Sequence, residues 1–548
     1  MVIGLSDFIS LCNNGTYIDK TDIIDELAPL LQSSTSIIIN RPRRFGKSLM
    51  ISMLETFFNN KNDNRNYFKG LKIAKSPNFA LANSFPVIKL SFKTASNVMP
   101  VSMIDTIKGI LATIYEDWSG VILDKCNDLE KAYYQSICNK TASGSDYVNC
   151  LDKLSALIYS IEGKKPLIFI DEYDAPIEAS YGSEQYKEIL YFLKSLYIAT
   201  FKDTPSYGFG FITGVFGIAK GTLGTGLNNI PVDSGPYSPL SKNYFGFTDQ
   251  EVRKLCFDFN INEQDRDKLM EYYGGYHYLG DTFYNPWSIL NYIATRNFSS
   301  FWGNSGSNKA FAKVIDAAYA LDDELIANLL SDGVEIDLDF TASYEDIDKS
   351  IGNILLYLVL AGYLTVKQTS FGRYFVYLPN KESKSAFLNE IVARYKDKSA
   401  IRKIIKLKNA LTNGDGDELI SFFRDFLLSS LSYYDFNDEK NYQIMVGTIA
   451  ALLFDDCIVK HELIAGTGRC DVMISPLNEG RFGAVIEIKY LPARTSSSRL
   501  QEKAKTALNQ IKKHHYVQEL LVRNACPIIA YGFAFYKNNL AVEQMQLR

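Results

Sequence analysis

Several features that would narrow the class of this protein at once are missing from its sequence. Eight cysteines are scattered over 548 residues without one C-x-x-C pair, which speaks against a disulfide framework and against a zinc knuckle. Of the four histidines, His277 and His461 have no partner at ligand spacing and read as structural or surface residues. Positive charge is not in excess: 58 Lys and Arg face 62 Asp and Glu. The whole chain therefore has no attraction for a phosphate polymer, and any nucleic-acid surface must be local. Long apolar runs are absent as well. The two longest, ILLYLVLAGYLTV (354–366) and IMVGTIAALLF (444–454), fall short of the ~20 residues a helix needs to cross a bilayer, so both are expected to be buried elements. The opening MVIGLSDFISLCNNG has neither the basic region nor the apolar core of a signal peptide. A reducing, cytoplasmic location with no membrane partner is expected.

What is present is an ordinary globular composition, 47% hydrophobic and 22% charged, in a chain too long for one core. At roughly 150 residues per domain, three or four units are expected. Repeats and low-complexity linkers are lacking, so boundaries come from changes of pattern. Four apolar, β-rich runs alternate with helical periodicity: SIIIN (36–40), FPVIKLSF (85–92), PLIFIDE (166–172) and YGFGFITGVFG (207–217). Runs apolar on both faces and separated by helices predict a parallel sheet covered on both sides, an α/β nucleotide-binding architecture. This first domain is expected over 1–235. The aromatic-rich YYGGYHYLGDTFYNPWSILNYI, within 236–335, reads as a mainly helical lid with tight turns. In 336–425 a helix, IGNILLYLVLAGY, precedes two alternating strands about a Gly-containing turn. That layout is winged-helix-like, with a generic α+β insertion as the alternative. The period changes again in 426–548, which reads as a small α+β domain.

Between the first strand and its helix lies RPRRFGKS (41–48). Gly46-Lys47-Ser48 has the ending of a phosphate loop, although Arg41 stands where its first glycine is usual. In such a loop, N–H groups at the helix N-terminus cradle phosphates, the lysine reaches the terminal ones and the hydroxyl binds magnesium. Lys47 and Ser48 have those roles available. Pro42 can impose a turn of its own, and Arg43 and Arg44 add charge beside the phosphates, either of them a candidate transition-state arginine. Downstream, PLIFIDEYDA ends an apolar strand in acids. Asp171 is placed to hold the metal shell and Glu172 to orient the attacking water.

These stretches, together with TYIDKT (16–21), FITGVFGIAKGTLGTGLNN (211–229), YFGFT (244–248) and YNPWSIL (284–290), resemble the AAA-ATPase-like family of P-loop proteins. The resemblance covers roughly residues 5–300. It implies a P-loop NTPase sheet, ATP as the nucleotide, and a phosphate loop in which Arg41 is usual and Phe45 and Gly46 take part. It also implies a sensor role for Thr213 and an ordered turn near the nucleotide carrying Asp19 and Lys20. ATP and GTP are not distinguished, because spacing alone identifies no base-reading residue.

The last domain raises a second question. In GRCDVMISPLNEGRFGAVIEIKY (468–490), period two puts Glu487 and Lys489 on one face of a strand. If CDVMI and AVIEI pair as a hairpin centred near residue 479, Asp471 lies opposite Glu487, and opposed residues share a face. Two carboxylates and a lysine then converge, a grouping suited to phosphodiester cleavage with a hard cation, Mg2+ or Mn2+. The segment resembles the PD-(D/E)XK nuclease superfamily, which implies a restriction-endonuclease-like fold. On that resemblance Glu439, in ExxYQ (439–443), is a further metal acid, and Gln510 and Tyr516 occupy motif positions in the following helix. Gln443 stands where relatives often have His, and Glu462 is a substitute acid or a salt-bridge former. Between 489 and 515 there are seven Lys or Arg against one acid, Glu502, a local basic stripe fit for a nucleic-acid backbone, with Arg494 and Arg499 the leading contacts.

The expected activity is therefore ATP binding and hydrolysis coupled to metal-dependent cleavage of nucleic acid, DNA foremost. Two other classes stay open: a nucleotide-controlled switch or assembly module whose nuclease fold only binds, and an ATPase that remodels a protein partner. The oligomeric state is left open, a homo-oligomer included.

Overall fold

The isoleucine run of β1 (Thr35–Asn40) is buried on both faces of a central sheet, a position that β-branched side chains fill well. This computed structural model describes residues 3–548 except 15–16, 218–229, 235–242, 279, 303–324, 326–327, 330–332, 371, 395–397, 431–438, 455–456, 466–467, 478, 493–495, 515 and 538. The chain divides into two compact units, Met1–Leu321 with Glu335–Ala386, and Asp322–Val334 with Phe387–Arg548.

In the first unit β1, β2 (Val87–Ser91), β3 (Leu167–Asp171), β4 (Phe209–Gly214) and β5 (Val232–Ser234) form one sheet in the order β2-β3-β4-β1-β5. Every pairing in it is parallel. The four apolar runs of the sequence are its four longer strands. Parallel neighbours require crossovers, and helices Lys47–Phe58, Met103–Ile122, Gly144–Glu162 and Tyr186–Phe201 supply them. All five residues of β3 are buried, and each large apolar side chain there contributes about 1.5–3 kcal/mol through burial. Because β4 lies between β1 and β3, the carboxyl ends of these three strands bring the 41–46 loop, Thr213 and Asp171 to one edge of the sheet.

The aromatic-rich region differs from the helical expectation. It carries a small antiparallel sheet, β6 (Phe247–Thr248), β7 (Tyr276–Tyr278) and β8 (Asp281–Tyr284), beside helices Asp249–Asp258, Glu263–Tyr273 and Pro286–Thr295. The Gly280 turn and the alternation of Tyr276, Tyr278, Asp281 and Phe283 set a hairpin that aromatic content had masked. Further on, helix Ile351–Ala361 precedes the β10 (Thr365–Ser370) and β11 (Arg373–Tyr377) hairpin, and β9 (Val334–Asp337) adds a third strand beside β11.

The second unit is built on β12 (Cys457–Ala465), β13 (Gly468–Pro476), β14 (Gly483–Tyr490), β15 (Ile528–Tyr536) and β16 (Asn539–Gln546), paired in chain order. Only β14 and β15 run parallel, and helix Ser497–His514 lies in the crossover between them. Val472, Ile474, Ile486 and Ile488 pack on one face with Tyr442, Val446 and Ile449 of helix Glu439–Leu453. Met473 and Val485 pack on the other with Leu508 and Ile511 of helix Ser497–His514. By the period of two, Asp471 and Glu487 belong to this second face. No helix among the described residues is long and apolar enough to cross a membrane.

Candidate functional site

The 41–46 loop joins β1 to the Lys47–Phe58 helix. Gly46 caps that helix at φ 91°, and a Cβ there would meet nothing within 4 Å, so conformation and not space calls for glycine. No side chain caps the helix start, and its first N–H groups are open to an anion. Lys47 is buried, and its Nζ donates to the carbonyls of Arg41 at 2.7 Å and Pro42 at 2.9 Å. Burial lowers its pKa to about 8, with Glu172, Asp171 and Asp174 acting in the opposite sense. Arg41 is buried too. Its Nη2 pairs with Asp233 of β5 at 3.0 Å and its Nη1 donates to the carbonyl of Asn40 at 2.9 Å, a strut beneath the loop in place of the first glycine.

Across from the loop, Thr213 Oγ1 donates to Asp171 Oδ1 at 2.8 Å, both side chains buried. Glu172 follows at φ 52°, and burial together with the neighbouring Asp171 pushes its carboxyl up. Asp174 is buried and accepts from the amides of Val215 and Phe216 and from the hydroxyl of Tyr344, at 3.0, 2.8 and 3.0 Å. Burial, with Glu178 nearby, raises its pKa to about 6.

A cavity of about 370 Å³ opens here. Arg43, Lys47, Ser48, Glu172 and Asp174 make a polar wall, and Leu5, Tyr17, Ile18, Trp287 and Leu290 an apolar one. The guanidinium of Arg44 lies 4.6 Å over the Trp287 ring. Phe45 is buried edge-on against Tyr276 and also lines the cavity. Lys20 reaches the wall with its Nζ bound to Glu251 at 2.6 Å and to the carbonyl of Asn243 at 2.7 Å. Asp19 does not line the cavity: it accepts from the Thr21 amide and hydroxyl and from the Lys72 amide, and so builds the turn. Asp171 and Thr213 likewise stand outside the wall.

In the second unit, β13 and β14 pair as Val472↔Ile486, Met473↔Val485 and Ile474↔Ala484, a register whose next step sets Asp471 across from Glu487. Asp471 Oδ2 accepts from the Ile488 amide at 2.7 Å, and Gln443 also bonds its carboxyl. Lys489 Nζ lies 2.9 Å from Glu487 Oε1 and 3.6 Å from Glu439 Oε1, while Glu439 Oε2 accepts from the Tyr490 amide at 3.1 Å. Gln510 Nε2 donates to Glu487 Oε1 and lies 3.5 Å from the Tyr516 hydroxyl. Burial pushes Asp471 up to about 6; burial and then Asp471 push Glu487 up to about 7. Burial alone would lower Lys489, but its hydrogen bond and charge contact with Glu487 outweigh it and the net shift is upward. Glu487 Oε2 is buried with no hydrogen-bond partner. A buried, unpartnered carboxylate oxygen beside a second raised carboxyl fits a divalent cation. Among the described residues no three His, Cys, Asp or Glu side chains gather in metal-holding geometry, and Glu439 is engaged with Lys489 and the Tyr490 amide. Glu462 lies on β12 with its side chain outside the described residues.

Comparison with known families decides the class. Residues 2–224 match the family described as Predicted AAA-ATPase, and residues 437–545 the PD-(D/E)XK nuclease superfamily. The chain joins an AAA-ATPase-like domain to a PD-(D/E)XK nuclease superfamily domain. It is 26% identical over 559 residues to the "Uncharacterized protein in vnfD 5'region" of Azotobacter chroococcum mcd 1, covering 98% of this chain and 97% of that one. Among solved structures it is similar to the Signal Transduction ATPase with Numerous Domains (STAND) protein with a tetratricopeptide repeat sensor from Pyrococcus horikoshii. That likeness has 12% identity and a TM-score of 0.22, and it covers 80% of this chain and 57% of that chain.

Sequence reasoning missed Asp174 and Glu178 of the AAA-ATPase-like domain, although their spacing of four puts both acids on one side of a turn after the strand. Trp287 and Tyr17 were met only as motif letters, and their place on the cavity wall had no signal in spacing. In the nuclease superfamily domain Arg499, Lys503, Lys512 and Lys513 are exposed on helix Ser497–His514, and Lys505 lies 3.9 Å from Glu543. Arg494 is outside the described residues.

Proposed function

We propose that the N-terminal domain binds and hydrolyses ATP in the cavity beside the 41–46 loop, and that the C-terminal domain cleaves nucleic acid, DNA foremost, with Mg2+ or Mn2+. For the first half the carrying observation is a buried lysine, Lys47, at an uncapped helix start on the wall of a cavity that also holds Glu172. The phosphates would meet the Lys47 ammonium and the helix amides, with Ser48 and Asp171 on the cation side, Asp171 oriented by Thr213. Glu172, its carboxyl raised by burial, is the base that takes the proton of the attacking water. The base ring would lie against Tyr17 and Trp287 on the apolar wall.

For the second half the carrying observation is Glu487 Oε2, buried and without a partner, beside Asp471 and Lys489. Asp471 and Glu487 would hold the cation, which supplies charge to a phosphodiester oxygen and acidifies water. Lys489, tied to Glu487 Oε1, stands ready to steady the charge of the attacked phosphate, and Gln510 donates to that same oxygen, which leaves Oε2 for the cation. The exposed basic residues of helix Ser497–His514 would meet the backbone.

The test uses the purified full chain with Mg2+ or Mn2+ and linear DNA, circular DNA and RNA. Cleavage that disappears in Lys489→Ala, with ATP hydrolysis that disappears in Lys47→Ala, supports both halves. Tight binding of nucleic acid by wild type without cleavage would replace the nuclease half with a nucleotide-controlled binding module.

A further inference from the structure

Arg43, on the polar wall of the cavity, is already engaged. Its Nη2 lies 2.6 Å from Glu178 Oε1, and the same oxygen accepts the hydroxyl of Tyr357 at 2.9 Å. Tyr357 is buried in helix Ile351–Ala361, whose end closes directly on the loop: a Cβ on Gly362 would fall 2.8 Å from Pro42 Cβ. A second contact runs parallel to the first. Tyr344 donates to Asp174, and the ring of Phe216, just after β4, meets Tyr344 and Tyr357 edge-on at 5.1 and 5.5 Å. The segment holding both tyrosines is thus wired to two acids of the short helix after β3, Ala175–Ser180, with Asp174 at its N-cap and Glu178 within it.

A phosphate in the cavity and the Glu178 carboxylate are rivals for one guanidinium. We propose that Glu178 is a positioning residue that draws Arg43 away from nucleotide phosphate, and that Tyr357 takes over the Glu178 carboxylate when a phosphate wins Arg43, which ties nucleotide occupancy to the Ile351–Ala361 helix. This rests on the reading of the cavity as a nucleotide site. Glu178 is buried, and Asp174, a second buried acid, lies close enough to feel its charge. When Arg43 leaves, the donor that stays is the Tyr357 hydroxyl, and its bond to the carboxylate strengthens because the competing cation has gone. The two partners of Glu178 therefore act with opposite signs: the carboxylate opposes nucleotide binding, and the hydroxyl favours it.

ATP binding measured by calorimetry on the full chain tests this. Glu178→Gln is expected to tighten ATP about tenfold, and Tyr357→Phe to weaken it about threefold, sizes within the range of one ordinary hydrogen bond. In an Arg43→Ala background both effects should shrink to within about twofold, because the coupling needs the guanidinium. A structural role alone would move all variants the same way and would survive Arg43→Ala. If Glu178→Gln does not fold, Glu178→Asp, which withdraws the carboxylate by one methylene, carries the same expected sign. ATP bound no more tightly by the Glu178 variant than by wild type overturns the proposal while leaving the site reading intact. Wild type that binds no ATP, or binds it equally after Lys47→Ala, removes the nucleotide site and this proposal with it.

Discussion

Glu382 illustrates how much one buried carboxyl can govern. Its Oε1 accepts from the amides of Phe301 and Trp302, at 2.6 and 2.8 Å, and its Oε2 from the Ser288 hydroxyl at 2.6 Å. Burial nonetheless dominates these bonds and raises its pKa from 4.5 to about 7. A carboxyl raised on folding stabilises the native state below its unfolded value, and that stability is lost as pH rises through the folded value. Between pH 4.5 and 7 the fold should therefore lose up to roughly 3 kcal/mol on this account. Glu382→Gln keeps an acceptor for the two amides and offers an N–H to Ser288, so it should flatten the decline. Urea denaturation at several pH values reads it; equal pH slopes in wild type and variant would refute the assignment.

At the scale of elements, the 41–46 loop is held from both sides. Arg41 and Asp233 form a buried pair that joins the loop to β5, and breaking one partner of such a pair costs about 3–5 kcal/mol. Asp233→Ala should lower the unfolding free energy read from urea denaturation by that much, whereas the double change Arg41→Met with Asp233→Leu should cost less, since no charge is left buried. The same comparison asks whether the strut shapes the loop: if it does, the double variant regains stability but not ATP affinity. Gly362 is the second clamp. At φ 93°, and with an added Cβ falling 2.8 Å from Pro42 Cβ, it admits no side chain without displacing the loop, so Gly362→Ala should weaken ATP binding as well as the fold. Thermal melting and calorimetry on that variant check both.

For the whole molecule, the acidic total and the local basic stripe predict a salt signature. Lys512→Ala with Lys513→Ala should reduce the slope of log affinity for DNA against log salt by about two, while leaving ATP hydrolysis as in wild type. An unchanged slope would place the nucleic acid elsewhere. In the C-terminal domain Asp471 and Glu487 are both raised, to about 6 and about 7, so protons compete with a cation up to that range. Mn2+ affinity should rise with pH from 5 to 8, and Asp471→Asn with Glu487→Gln should abolish both binding and pH dependence. If nucleotide governs cleavage, Lys47→Ala depresses cleavage as well as hydrolysis; cleavage indifferent to ATP would separate the two activities.

Period and spacing alone specify a good part of this protein. Four runs apolar on both faces read as strands of a covered parallel sheet, and a hairpin centred near residue 479, once formed, opposes Asp471 to Glu487. Gly46, Lys47 and Ser48 declare a helix start by local chemistry. The short, polar β5 had no such signal, nor did the hairpin at Gly280, hidden by aromatic content that suits helix and strand alike. Arg41 finds Asp233 across 192 residues, and Glu178 finds Tyr357 across 179. Such pairings depend on where the chain folds back, which local periodicity does not encode. Burial then gives those charges their weight, because a carboxylate or guanidinium is costly only once the closed fold has taken its water away.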